Sequence, residues 1–455
     1  GQSDNKLLSL ALNDRLAALC QITFSAQRRG FVAGRHIEDT LFNLEAAAIS
    51  MSATNIKRSA TILFDFSTAF PSVAHDWIFM VLSTMQVPVD FTQAIRQLYA
   101  SCMAMLVFNG AELSSFIIGS GIKQGCPLSG SIFALAIDPL IRYLLFTSVF
   151  GSICITAYAD DIAIEVANLF TMLPSILDSF RKWALATALR LNSKKSVIMP
   201  LWMYDGAMIA RWLRAVAPDF ASCCIAAHAK YLGILIGPGA DLVQWLPVAH
   251  KVLARSAEAS FTGFGLIDRI VHFKMHGTST VLFKAQFAHL SAGMLAAYRK
   301  AEQRLTAAPW MALPPDLLHS FVALGLPAGL ADIQAMATAA KLRLVASSPS
   351  FWEAAGAIDA ALISDEALLA PPLRAWYQSG IIATLRRTLH SHHLLDGVSS
   401  ILRKPEAGQM QRLLYLALSN RSGTVNALAI LRRRISYWQF SDTQAKLVFE
   451  THCTE

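Results

Sequence analysis

Ile153-Cys154-Ile155-Thr156-Ala157-Tyr158-Ala159-Asp160-Asp161-Ile162-Ala163-Ile164-Glu165-Val166 sets two adjacent carboxylates between two apolar, β-branched runs. The runs read as strands, joined at Tyr158-Ala159-Asp160-Asp161. An Asp-Asp pair at a turn is, taken alone, most often solvated decoration. Burying it unpaired would cost on the order of several kcal/mol per charge. A second short apolar strand, Thr61-Ile62-Leu63-Phe64, ends on Asp65. A strand ending in Asp and a hairpin tipped by Asp-Asp can bring three carboxylates to one sheet edge. Such a cluster needs divalent cations. Two hard cations about 3.5–4 Å apart can activate a hydroxyl and stabilise a leaving pyrophosphate.

Outward from this core the chain alternates helices and strands. Residues 7–20 and 36–51 carry Leu, Ala and Ile at helical spacing, with a basic glycine turn, Arg29 to Arg35, between them. His75–Met85, Asp90–Ala100 and Leu173–Leu191 read as helices, the last with Pro174 tolerated in its first turn. Met103–Phe108 and Leu113–Gly119 flank Asn109-Gly110, a strong signal for a type I′ hairpin. A glycine-rich loop, Gly119–Gly130, leads into a long apolar helix containing Pro139. Lys195–Pro200 and Tyr231–Ile236 read as short strands, and after about Asp241 the pattern is wholly helical.

The chain has 455 residues, long enough for about three domains. Hydrophobic residues make up 54% and charged residues 15%, which excludes wholesale disorder. The longest apolar stretches are interrupted: Leu128–Phe150 by Asp138 and Arg142, and 321–331 by Pro327 and two glycines. No membrane-spanning helix is expected from them. Seven scattered cysteines, without a C-x-x-C, argue against a disulfide framework or structural zinc and for a reducing, intracellular compartment. The formal net charge is +8, and the stretch from Pro371 to Glu455 is the most basic, with 11 Lys/Arg against 5 Asp/Glu. That suits a polyanionic partner. Arg432-Arg433-Arg434 reads equally as phosphate contacts or as a solvated helix end. His390, His392 and His393 read as surface histidines.

Phe64-Asp65-Phe66-Ser67-Thr68-Ala69-Phe70 resembles motif A of reverse transcriptases, especially those of non-LTR (LINE-type) retrotransposons. Gly121-Ile122-Lys123-Gln124-Gly125-Cys126-Pro127-Leu128-Ser129 resembles motif B, and Tyr158-Ala159-Asp160-Asp161 motif C. Leu191-Asn192-Ser193-Lys194-Lys195-Ser196 resembles motif D, Lys230-Tyr231-Leu232-Gly233 motif E, and Arg29–Arg35 a turn upstream of motif A. The six occur in the family's order over about Lys6 to Ile236. One such motif is weak; the ordered set is specific.

The resemblance implies an α+β right-hand polymerase: partial fingers and an antiparallel-sheet palm over 1–240, a helical thumb over 241–310, and an all-α, basic C-terminal extension over 311–455. It implies an RNA-directed DNA polymerase that moves a nucleotide from a dNTP to a DNA primer 3′-hydroxyl on an RNA template. Asp65, Asp160 and Asp161 would hold Mg²⁺, with Mn²⁺ as a substitute. The backbone after Asp65, at Phe66 and Ser67, would approach the triphosphate. Phe70 would be a steric gate against a ribose 2′-hydroxyl. Gln124 and Gly125 would line the nucleotide site. Lys195, with Lys194 second, would protonate or screen the pyrophosphate, and Tyr231, Leu232 and Gly233 would form the primer grip. Outside the joint pattern, Phe70 and Tyr231 read as core, Lys194-Lys195 as a solvated pair and Gln124-Gly125 as a plain loop. The family implies work in nucleus and cytoplasm, without a membrane; the oligomeric state is not read.

Two departures shape the expectations. Pro71 stands where the family has Asp after the gate aromatic. The upstream Arg-Pro fingers segment that grips the triphosphate is not recognised here, with Arg28, Arg29 and Arg35 as candidate substitutes. The alternative function is therefore an N-terminally truncated, non-catalytic, nucleic-acid-binding remnant. Intron-encoded and viral RNA-dependent polymerases fit less well: the first lack this motif A run, and the second usually carry Gly where Ala159 stands.

Overall fold

The structure, a computed structural model, describes residues 2–54, 58–100, 102–148, 151–261, 263–306, 315–322, 326–362 and 369–392. His393, Arg432-Arg433-Arg434 and most of the basic C-terminal stretch lie outside the described residues. The chain divides into two compact units. One is Gly1–Leu232 with Ala354–Arg374, and the other is Gly233–Glu353 with Ala375–Glu455.

The first unit is built on a five-stranded sheet. Its strands are β1 (Ala60–Phe64), β4 (Ile153–Tyr158), β5 (Asp161–Val166), β6 (Val197–Pro200) and β7 (Cys224–Ile225), in the order β4-β5-β1-β6-β7. All pairs are antiparallel except β6 with β7. β1 has no polar alternation, and every one of its residues is buried, as its unbroken apolar run requires. The separate hairpin of β2 (Met103–Phe108) and β3 (Ala111–Ile117) turns on Asn109 and Gly110, both at positive φ as a type I′ turn demands.

Helices α1 (Gln2–Thr23), α2 (Ile37–Thr54), α3 (His75–Thr84), α4 (Val89–Tyr99), α5 (Ser129–Thr147), α6 (Leu169–Thr187) and α7 (Gly206–Val216) belong to the same unit. One core joins Ile62, Phe64, Ile162 and Ile164 of the sheet to Ile132, Phe133, Ile137 and Leu140 of α5 and Leu173, Leu177 and Phe180 of α6. α5 is long and apolar enough to cross a membrane by length and composition, contrary to the expectation from its two charges. Most of it is buried inside the unit instead. The interrupting Asp138 is a clamp. Its carboxylate, almost fully buried, accepts from the Ser25 N–H at 2.9 Å, the Ser25 hydroxyl at 2.6 Å and Arg142 Nε at 2.6 Å.

The second unit is helical, as its pattern predicts. Leu246–Phe261, Leu266–Phe273, Ser279–Ala285, Ala292–Thr306 and Ile333–Ser347 are helices, with a π-helical turn at Lys274–Thr278. Its core gathers Trp245, Val252, Phe273, Tyr298, Leu305 and Phe321. Tyr231–Ile236 is not one strand. Ala229–Tyr231 and Ile234–Ile236 are separate strands flanking Leu232 and Gly233, whose φ values of 47° and 86° break an extended run.

Asp138→Ala leaves the Ser25 donors and Arg142 without their buried acceptor. It is expected to lower stability by about 3 kcal/mol, read as a lower urea midpoint, while Arg142→Ala, at the exposed end of the clamp, costs less.

Candidate active site

Tyr158 pairs with Asp161 across the β4–β5 hairpin, so the turn is Ala159 and Asp160 alone. Ala159 takes φ +54°, a left-handed conformation that alanine does not favour. The last pair between β1 and β5 is Phe64 with Ile162, which makes Asp65 and Asp161 the next neighbours along the two strands. Side chains alternate along a strand, and Phe64 and Ile162 face the core. Asp65 and Asp161 therefore come out on the opposite face, at the end where the hairpin turns.

The chain after β1 is zipped to the segment Arg190–Ser196. Asp65 N–H donates to Ser196 Oγ at 3.3 Å, and its carbonyl accepts from Asn192 N–H at 2.7 Å. Phe66 bridges Leu191, and Ser67 N–H donates to the Arg190 carbonyl at 2.9 Å. This zipper brings exposed Lys195 into the field of Asp65.

Concentrated negative charge is the site's main property. Burial pushes the Asp161 carboxyl up to about 6, with the charges of Asp160 and Asp65 adding to it. Asp65 is also raised, chiefly by burial; Lys195 opposes the rise and Asp160 adds to it. Among the described residues no three His, Cys, Asp or Glu side chains gather closely enough to hold a metal ion as they stand. Asp65, Asp160 and Asp161 thus share one field without forming a ready coordination cage, as like-charge repulsion favours. The donor set still fits a hard cation: all its donors are carboxylate oxygens, and a divalent ion would offset the burial and the repulsion that raise Asp65 and Asp161.

Sequence reasoning missed how the turn is held. Residues 27–30 run beside β4: Arg28 bridges Ala157, Arg29 N–H donates to the Ala157 carbonyl at 2.9 Å, and Ala157 N–H donates to the Gln27 carbonyl at 3.0 Å. Gly30 then presses against the turn so closely that a Cβ there would lie 2.1 Å from the Ala159 nitrogen. Arg28 is fully buried and donates Nη1 to the Ala159 carbonyl. Burial lowers its guanidinium to about 10, against the opposing pull of Asp138 and Asp160. Arg35 spends its donors on the carbonyls of Ser25, Arg28, Phe24 and Gln21. Neither Arg28, which is fully buried, nor Arg35, whose donors bind chain carbonyls, is open to a triphosphate. The signal in the sequence was the glycine of Arg29-Gly30-Phe31, legible as a turn but not as a close approach.

The remaining candidates separate into three groups. Phe66 is buried beside Phe180, with ring centroids 6.2 Å apart, while Ser67 is exposed. Phe70 is half-buried and opens a short 3-10 turn, Phe70–Ser72. Its carbonyl accepts from Ile122 N–H at 2.7 Å, and the Val73 carbonyl accepts from Gly121 N–H at 2.8 Å. That stitch anchors the loop on which Gln124 and Gly125 stand, both exposed, with Gly125 at φ +79°. Tyr231 is buried, and its hydroxyl donates to the Asp161 carbonyl at 3.3 Å. Burial, with Asp161 beside it, pushes its phenol far above the ordinary range. Leu232 and Gly233 are half-buried.

A family model for "Reverse transcriptase (RNA-dependent DNA polymerase)" matches residues 2–236, more than half of the chain. The chain is 28% identical over 201 residues to the transposon TX1 uncharacterized 149 kDa protein of Xenopus laevis, covering 43% of this chain and 15% of that protein. It is 29% identical over 160 residues to the Pol polyprotein of the type-1 retrotransposable element R2 of Bradysia coprophila, covering 34% of this chain and 18% of that protein. Among solved structures, apo telomerase from Candida tropicalis aligns with a TM-score of 0.45 and 10% identity, over 92% of this chain and 60% of that one. The chain belongs to the reverse transcriptase family, in its non-LTR retrotransposon branch. It spans less than a fifth of either retrotransposon relative.

The raised Asp161 fixes the sign of a pH dependence. Its folded value, about 6, lies above the unfolded 3.8, so the stability it contributes is complete below the lower value and lost as pH rises through the upper. Metal-free chain is expected to lose thermal stability between about pH 4 and pH 6.5, and Asp161→Asn to flatten that part of the profile.

Proposed function

We propose that the chain is the polymerase core of a non-LTR retrotransposon reverse transcriptase, extending a DNA primer on an RNA template with dNTPs. The observation that carries this is the meeting of Asp65 with Asp160 and Asp161 at neighbouring strand ends, with Lys195 exposed in the same field. The sheet unit would serve as palm with part of the fingers, and the helical unit as thumb.

Asp65, Asp160 and Asp161 would hold Mg²⁺. When bound, divalent ions supply Lewis acidity at the primer hydroxyl and neutralise charge on the departing pyrophosphate. The rest falls to the chain. Lys195 offers a proton or a screening charge to the pyrophosphate. The stitched turn at Phe70 sets an aromatic ring where the sugar would lie, and discriminates by a clash with a 2′-hydroxyl. Exposed Gln124 and Gly125 offer a polar side chain and an unobstructed backbone to the nucleotide. Tyr231 acts from beneath by tying Asp161, leaving the Leu232-Gly233 turn to meet the primer.

The test is primer extension on an RNA template with dNTPs and Mg²⁺. Wild-type chain is expected to extend, and Asp160→Ala to abolish extension while keeping primer–template affinity. Extension persisting in Asp160→Ala overturns the carboxylate assignment. Template binding without extension in the wild type favours the non-catalytic remnant.

A further inference from the structure

Phe31 is neither hidden by the fold nor left free. Its backbone sits at φ +63°, a region that bulky L-residues seldom enter. Its ring is 49% exposed. A conformation of this kind persists only where the surroundings over-determine it. On one side they do so through Gly30, pressed on Ala159, and through Val32, which is buried. On the other they do so through Gly130. A Cβ on Gly130 would lie 2.6 Å from Cδ1 of Phe31, so the ring can lie down over the start of α5 only because that position is glycine.

Held there, the ring meets Phe70. The two centroids are 5.9 Å apart with planes at 85°, an edge-to-face contact. Phe70 in turn stacks on Phe133, with centroids 4.3 Å apart and planes 10° from parallel. A ring stacked on one neighbour can still slide or tilt in its own plane. A second ring at right angles to it blocks that motion. The Phe70 backbone is fixed by Ile122, and its ring is stacked on Phe133 and packed at right angles to Phe31.

We propose that Phe31 is a positioning residue that sets sugar selectivity: seated over Gly130, its ring packs at right angles against Phe70 and holds that side chain where it excludes a 2′-hydroxyl. This rests on the reading of Phe70 as the gate. Phe31 need not touch the nucleotide, and its effect passes through the Phe70 ring. Gly130 is then part of the same device, since its missing side chain is what seats Phe31.

The test compares kcat/KM for a dNTP with that for the matching rNTP, in single-nucleotide extension on an RNA template. Four proteins suffice: the full wild-type chain, Phe70→Ala, Phe31→Leu and Gly130→Ala. Phe31→Leu keeps an apolar side chain but no flat edge. Gly130→Ala suits a helix start and displaces the Phe31 ring while leaving both aromatics in place. Phe31→Leu and Gly130→Ala are each expected to lower the deoxy-to-ribo ratio by about tenfold, the size that one apolar contact gives to selection in a pocket. A general weakening of the fold would lower both rates together and leave the ratio unchanged. A wild-type ratio in Phe31→Leu and Gly130→Ala, with the ratio relaxed in Phe70→Ala, overturns the role of Phe31 and keeps the gate. A wild-type ratio in Phe70→Ala removes the gate, and the bracing role with it.

Discussion

The close approach of Gly30 to Ala159 is the contact on which the site depends. A two-residue turn of Ala159 and Asp160 has no local chemistry that favours its left-handed residue. The Asn109-Gly110 turn of the β2–β3 hairpin has that chemistry in its own sequence. At Ala159 the conformation is imposed from outside. Gly30 packs on its nitrogen, Arg28 binds its carbonyl, and Tyr231 ties the carbonyl of Asp161. The carboxylates of Asp160 and Asp161 are aimed by the backbone that these three residues hold. Arg28 is costly to place: its Nε and Nη2 are buried without a hydrogen-bond partner among the described residues, though Phe133 lies 5.9 Å from its guanidinium carbon.

The sheet divides its chemistry between two faces and two ends. Ile62, Phe64, Ile162 and Ile164 fill one face. Asp161, Ala163 and Glu165 alternate onto the other. At the closed end Glu165 is fully buried, its oxygens have no hydrogen-bond partner among the described residues, and burial raises it far above the carboxylate range. At the open end Asp65 and Asp161 are half-exposed, within reach of a cation. The same strand thus carries one fully buried carboxyl and one half-exposed at the carboxylate cluster.

Much of this was legible. Unbroken apolar runs located β1, β4 and β5, and the strand pairing brings the acids at their ends together. α6 begins at Leu169 rather than Leu173 because the Asn168 side chain caps Phe170 N–H, and it ends at Thr187 because Ala188 turns left-handed. The first is a cap that the sequence shows; the second is a conformation set by packing. Arg28 read as a candidate triphosphate contact, since nothing local says that a guanidinium will be buried. Tyr231 read as a grip residue by motif and as core by pattern; it is buried, with its hydroxyl on the Asp161 carbonyl. Phe31 read only as part of the Arg29–Arg35 turn, because its seat against Gly130 comes from a glycine distant in sequence.

The Ala159–Asp160 turn takes its shape from the close approach of Gly30. The most direct test is Gly30→Ala, compared with wild type in primer extension on an RNA template, with primer–template affinity measured in parallel. The account predicts that extension is lost and affinity is kept, because the added methyl displaces Ala159 and with it the carboxylates. Extension at the wild-type rate would contradict it.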